Sequence, residues 1–273
     1  MEPMEEPKVI FENADFVAVE KPAGLLVHRV RVSARSRSRR VDEGRRAEPT
    51  LADWVAARYP EVASVGDDPE FRPGIVHRLD KETSGVMVVA RRQEAFAWLK
   101  AAFQSRAMRK TYAAFVYGVP SPREGTIDRP IGIKAGTLKR SIHATSMVKE
   151  AVTDYKVKEA FKPLRLSSSS LSSSSLLAPS FSLLEVTPRT GRTHQIRVHL
   201  ASIGHPIVGD ALYAPRSVRR EKGPGGAPLR LMLHAEHLEF ADPAGTRFSF
   251  GAPLPEDFLE VIHTVAAGGR GAI

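Results

Sequence analysis

The sequence predicts an α+β fold built on a largely antiparallel mixed sheet with flanking helices. Three observations carry this: strand-like apolar runs recur along the chain at mixed spacing, three or four segments show helical periodicity, and no regular β-α-β alternation links them. The chain has 273 residues, 42% hydrophobic and 26% charged, enough apolar mass for a substantial core.

The elements follow in order. The apolar runs VIF (9–11) and FVAVE (16–20) flank the turn-prone Asn13-Ala14-Asp15 and read as a hairpin, with Pro22 and Gly24 in the turn beyond it. Residues 51–59 read as a short helix stopped by Pro60. The stretch 74–90, GIVHRLDKETSGVMVVA, reads as strand, polar turn and strand, the second limb buried. From 93 to 106, Phe96, Leu99, Ala102 and Phe103 recur at helical spacing and should pack on a sheet as core. Residues 111–117, 151–161 and 181–186 read as three more strands. A short helix is expected over 193–203, with Ile196, Leu200 and Ile203 on one face and Gly204 and Pro206 ending it. Final strands are expected over 229–240 and 247–250.

Two segments stand apart from this pattern. Residues 29–46 hold eight Arg against two acids, so this stretch carries +6 of the chain's formal +9 with almost nothing to bury. It reads as a solvated loop, compatible with an arm that contacts a polyanion. Residues 162–180, KPLRLSSSSLSSSSLLAPS, are low in complexity and read as a flexible hairpin insertion with no catalytic role.

Composition narrows the function classes. Lys and Arg number 40 against 31 acids, which suits a polyanionic partner. Cysteine is absent, removing disulfides, thiolate zinc sites and cysteine nucleophiles together. No apolar run approaches the ~20 residues of a membrane span. The start, MEPMEEPKVIFENADF, has neither a secretory apolar core nor an Arg/Ser-rich transit pattern, so no membrane association is expected and the soluble interior of the cell, the cytoplasm by default with an organelle as the alternative, is the expected location. Phosphate-loop and dinucleotide-binding motifs are missing. His194, His199, His205, His234 and His237 match neither H-E-x-x-H nor a finger spacing, so they are expected to be structural or to contact the polyanion, and no metal is expected.

Three polar clusters abut apolar elements: HRLDKETSG from His77, KTY from Lys110 and GRTHQIRVH from Gly191. A carboxylate such as Asp80, kept ionised by a nearby cation, can serve as nucleophile or general base. It can equally cap a turn or sit in a plain ion pair.

The motifs VEKPAGLLVH (19–28), HRLDKETSGVMVVAR (77–91), KTYAAFVYG (110–118), GRTHQIRVHLASIGHPIVGDALY (191–213), LMLHAEHLEF (231–240) and APLP (252–255) resemble, in order, the motif series of RluA-like RNA pseudouridine synthases. The resemblance spans nearly the whole chain, and the long second and fourth motifs make it specific. It implies a catalytic domain over 9–262 with the pseudouridine synthase fold and an active-site cleft. It also implies an isomerase that breaks the N1 glycosidic bond of a uridine, turns the base and rejoins it through C5. That chemistry requires no redox agent or ATP, and no cofactor is expected.

By the same resemblance Asp80 matches the catalytic aspartate, acting at ribose C1′ or in elimination at C2′. Tyr112 matches the tyrosine that stacks on uracil and removes the C5 proton. Arg197 matches the basic residue that pairs with the aspartate, so its removal is expected to cost activity with the fold retained. Arg78 matches an arginine that enters the RNA stack where the target base leaves, and His77, Lys110, Arg192 and His194 complete an expected RNA-binding set. The expected partner is structured RNA, tRNA or rRNA, bound by a monomer without a separate N-terminal RNA-binding domain. A catalytically silent RNA-binding or RNA-folding module on the same scaffold is the alternative. A hydrolytic glycosidase is more distant, since Glu82 is the only acid near Asp80 in sequence and strand alternation would aim it away.

Overall fold

The computed structural model of the protein describes residues 5–29, 48–134, 139–161, 180–218 and 229–268. The expectations for the arginine-rich and serine-rich segments concern residues that, apart from Arg29 and Ser180, lie outside the described ones. The chain forms two compact units, Met1–Met108 with His237–Ala252, and Arg109–Glu236 with Pro253–Ile273.

The first unit opens with the hairpin β1 (Lys8–Glu12) and β2 (Phe16–Lys21). Asn13 makes the turn, its side-chain oxygen accepting from the backbone N of Asp15 and of Phe16 at 2.9 Å each. Helix α1 (Leu51–Arg58) starts on a capping box: Thr50 Oγ1 accepts from Asp53 N, and the Asp53 carboxylate accepts from Thr50 N. Pro60 converts its end into a 3-10 turn over Pro60–Ser64. Strand β3 (Ser84–Ala90) pairs antiparallel with β2, Val19 opposite Met87, and all seven of its residues are buried. Helix α2 (Gln93–Gln104) buries Ala95, Phe96 and Leu99.

The limb before β3 corrects the sequence expectation, because Ile75 to Asp80 is not a strand and Ile75 makes one isolated bridge to Val89. Side-chain chemistry displaces the ladder there. The Val88 N–H donates to His77 Nε2 at 3.1 Å, where a strand would offer a carbonyl, while Ala90 N donates to Gly74 O at 2.9 Å. Gly74 has φ +66 and so little room that a Cβ would lie 2.3 Å from Ala90 O, so no other residue fits at the start of the limb.

The second unit carries β4 (Arg109–Tyr117), β5 (Glu124–Asp128), the short strands β6 (Ile131–Ile133), β7 (Arg140–Ser141) and β8 (Ser146–Lys149), then β9 (Val152–Phe161) and β10 (Phe181–Pro188). The order is β4-β10-β9-β5, antiparallel throughout, with β7-β6-β8 as a separate small sheet. β10 alternates half-buried and buried residues strictly, which puts Leu184 and Val186 in the core. Helix α3 (Gln195–Ser202) follows. Strand β11 (Leu233–Ala241) begins in this unit and ends in the first, where it pairs antiparallel with β12 (Arg247–Gly251). Helix α4 (Glu256–Gly268) closes the described chain, burying Phe258, Val261 and Ile262 at helical spacing, so position 262 falls inside a helix.

Each unit has its own apolar centre. In the first, Phe16 meets Phe248 edge-on at 5.1 Å and Trp98 at 6.1 Å, with Phe11, Phe240 and Phe250 around them. In the second, Phe115, Leu184, Leu200, Ile207 and Phe258 are fully buried together. Among the described residues no helix is long and apolar enough to cross a membrane.

Candidate active site

The residues singled out from sequence divide between the units. His77, Arg78 and Asp80 belong to the first; Lys110, Tyr112, Arg192, His194 and Arg197 belong to the second.

Asp80 is half-buried and opens a turn in which its carbonyl accepts from Thr83 N at 3.1 Å. The turn is clamped from beneath. Lys81 O accepts from Gly24 N at 2.9 Å and from the Lys21 ammonium at 3.1 Å. Lys21 itself has no exposed surface, and its Nζ also donates to Pro22 O at 2.7 Å and Leu25 O at 2.9 Å. A buried ammonium thus ties the first motif to the peptide next to Asp80. Within the turn, the Thr83 hydroxyl is buried without a hydrogen-bond partner. His77 is held by the β3 backbone on one side and stacks on Phe103, ring centroids 4.3 Å apart, on the other. Arg78 is exposed, its Nη1 3.5 Å from His28 Nε2.

In the second unit, strand alternation puts Lys110 and Tyr112 on one face of β4, while Thr111 and Ala113 are buried on the other. Burial pushes the Lys110 ammonium below the ordinary lysine value of 10.5. Its Nζ lies 4.0 Å from where a Cβ on Gly191 would stand.

Helix α3 is positioned by an amide rather than an N-cap side chain. His194, at the N-cap, has φ 57 and makes no side-chain cap. Instead Gln195 Oε1 accepts from Thr190 Oγ1 at 2.7 Å and Arg192 N at 3.0 Å, and its Nε2 donates to Val152 O and Thr153 Oγ1 at 2.9 Å each. His199 continues the network. Its Nε2 faces Arg129 O at 2.9 Å, and a carbonyl can only accept, so Nε2 carries the proton and Nδ1 accepts from Thr153 Oγ1 at 2.8 Å. Burial holds its pKa below the ordinary 6.5, which keeps that arrangement neutral. His205 Nδ1 lies 2.9 Å from Tyr117 O. Arg192 Nε donates to Glu150 O at 2.9 Å.

Arg197 is buried and forks onto Asp210, Nε to Oδ2 at 2.8 Å and Nη2 to Oδ1 at 2.9 Å. Burial raises the Asp210 pKa, but this fork and the backbone N–H groups of Tyr213 and Leu212 outweigh it and hold the carboxyl below its usual value. The Arg197 guanidinium also lies 5.2 Å from the centre of the Tyr213 ring, and Tyr213 Oη is 2.8 Å from His194 Nδ1. Without Arg197 the buried Asp210 carboxylate would lose this fork, so a cost to the fold is expected beside the cost to activity.

The family described as RNA pseudouridylate synthase matches residues 15–202. The chain belongs to that family. It is 39% identical over 244 residues to an uncharacterized RNA pseudouridine synthase of Chloroflexus aurantiacus, covering 89% of this chain and 64% of the relative. It is 35% identical over 265 residues to the ribosomal large subunit pseudouridine synthase D of Pseudomonas aeruginosa, covering 93% and 70%. Among solved structures, human RNA pseudouridylate synthase domain containing 1 superposes with a TM-score of 0.66 at 26% identity, covering 93% of this chain and 87% of that one. The chain thus spans somewhat less than two thirds of the Chloroflexus protein.

Sequence reading passed over Lys21, Asp210, Tyr213 and Gln195, although all four lie inside motifs of this pseudouridine synthase family. A signal was present for Asp210, the one acid in the otherwise apolar and turn-forming HPIVGDALY. Lys21→Met keeps the aliphatic stem and removes the donor from three carbonyls, so it is expected to cost about 3 kcal/mol of stability. Urea unfolding checks this, and an unchanged midpoint would show that the ammonium contributes nothing.

Proposed function

We propose that this chain isomerises uridines of structured RNA to pseudouridine, with Asp80 acting at the ribose, Tyr112 at the base and Arg197 as the basic residue that assists the reaction. The observation that carries the proposal is that all three residues stand within the matched stretch 15–202, with Asp80 in a turn clamped by a buried lysine. In the reaction the N1–C1′ bond breaks, the base turns, C5 bonds to C1′, the C5 proton leaves and N1 gains one. Whether Asp80 attacks C1′ or assists loss of the C2′ proton, positive charge grows at C1′, and a carboxylate beside it lowers the barrier. A half-exposed Tyr112 on a rigid strand offers a flat face for stacking and an oxygen for the C5 proton. The exposed Arg78 can enter the stack that the flipped nucleotide leaves.

Large-subunit rRNA is the substrate class we propose first, since the Pseudomonas relative is named for it; tRNA is the second to test. RNA carrying tritium at C5 of uridine is the direct assay. Tritium release without free uracil supports the synthase over both a silent RNA-binding module and a glycosidase, and absence of release from every structured RNA tried would overturn it.

Lys110, with Arg192 and His194, is proposed to contact RNA phosphate. A lysine binds phosphate only while protonated, and burial brings its deprotonation below 10.5. The affinity advantage of the wild type over Lys110→Met is therefore expected to shrink as pH rises from neutral toward the ordinary lysine range. Fluorescence titrations across that range at constant salt check it. A difference that stays constant with pH would remove Lys110 from the phosphate-binding set.

A further inference from the structure

We propose that the small sheet β7-β6-β8 is a platform for an RNA strand outside the target nucleotide, gripping phosphates with lysines and a base or ribose face with Met147. This rests on the RNA-modifying reading above. Residues 131–149 contain Lys134, Lys139, Arg140 and Lys149 and no Asp or Glu, so the sheet offers a strand of RNA charge of one sign.

The backbone shows why Met147 faces outward. Ile131 pairs with Lys149 and Ile133 with Ser146, so two residues of β8, Met147 and Val148, oppose the single Gly132 of β6. That is a β-bulge, a device that re-aims side chains next to functional surfaces. Gly132 is needed beneath it, since a Cβ there would lie 2.5 Å from Ser146 O and 2.8 Å from the Ala144 Cβ. Met147 sits at φ 50, a conformation that L side chains rarely adopt, and is 64% exposed. Val148 is 48% exposed, and among the described residues the only other large hydrophobic in that class is Ile10. Strain and apolar exposure thus coincide at one residue of an acid-free basic sheet.

The platform is anchored rather than loose. Ile131 packs with Ala151 and Val198 of α3, with Ile142 and Tyr213 against them, and Arg140 N donates to Tyr213 Oη at 3.2 Å. Its root is therefore the helix that carries Arg197 and the tyrosine under that guanidinium. Lys149 on β8 is exposed, as are Lys134 just after β6 and Lys139 just before β7.

Binding of a fluorescein-labelled RNA stem–loop with uridines in its loop, titrated at several salt concentrations, tests this with the full chain. The triple variant Lys134→Ala, Lys139→Ala, Lys149→Ala is expected to lower the slope of log affinity against log salt by about 2, at roughly 0.7 to 0.9 for each phosphate that is no longer neutralised. Met147→Ser is expected to weaken binding several-fold at every salt concentration with the slope unchanged, as an apolar contact requires. Circular dichroism and the unfolding midpoint confirm that both variants fold. Wild-type affinity and slope in the triple variant would overturn the proposal and leave the surface to an acidic protein partner. Wild-type affinity in Met147→Ser would overturn the stacking contact. Binding is read without turnover, so failure here leaves the tritium-release test of the synthase reading intact, and failure of tritium release leaves this one readable.

Discussion

Asp80→Asn is expected to lower pseudouridine formation by about four orders of magnitude or more, the scale on which loss of a reacting group acts. RNA affinity should stay within about twofold, because phosphate contacts supply most of it and an amide replaces the carboxylate without change of shape. The asparagine can still be held by the same turn, since the bond from Thr83 N goes to the backbone carbonyl and the Lys21 clamp acts on Lys81 O. The variant should therefore fold normally and lose only the carboxylate that the proposed reaction needs. Carbodiimide-dependent reverse-transcription stops read the product, and substantial modification by the Asp80→Asn protein would sink the assignment of this residue.

The second large effect is double. Arg197→Ala is expected to abolish most activity and to cost about 3–5 kcal/mol of stability, because a fully buried Asp210 carboxylate loses its charged partner. The two losses can be separated. Arg197→Met with Asp210→Asn removes both charges, and the asparagine oxygen can still accept from Leu212 N and Tyr213 N, as Asp210 does at 2.8 Å and 3.0 Å. That double variant should regain most of the stability and none of the activity. Recovery of activity along with stability would reduce Arg197 to a structural residue and remove it from the proposed reaction.

Much of the architecture was legible because local pattern and tertiary role agree. The VMVVA run became the fully buried β3, the 93–106 periodicity became α2, and Asn13-Ala14-Asp15 became the hairpin turn through its own side chain. Strands β5 to β8 were not legible. They are two to five residues long, and β8 is exposed throughout, so no alternation marks them. The limb from Ile75 was misread for a different reason: its apolar run resembles a strand, but a histidine ring takes the hydrogen bond that a ladder needs. Motif order singles out the candidate side chains, whereas pairing depends on direction. Nothing in the spacing of Arg197 and Asp210, or of Lys21 and Lys81, says that one should face the other. A lysine in VEKPAG reads as solvated until the fold wraps three carbonyls around it.

The amide of Gln195 uses every bond it can make, two accepted at oxygen and two donated from nitrogen, each to a different atom. Its orientation is thereby written into the fold, for turning the group over would set oxygen against Val152 O and nitrogen against Arg192 N–H. Chemical ageing would bring the same conflict in milder form. Deamidation exchanges only NH2 for oxygen, yet it would aim a second acceptor at the Val152 carbonyl and place a buried charge where α3 begins, so a molecule altered by this one substitution of atoms should lose its hold on the helix that carries Arg197.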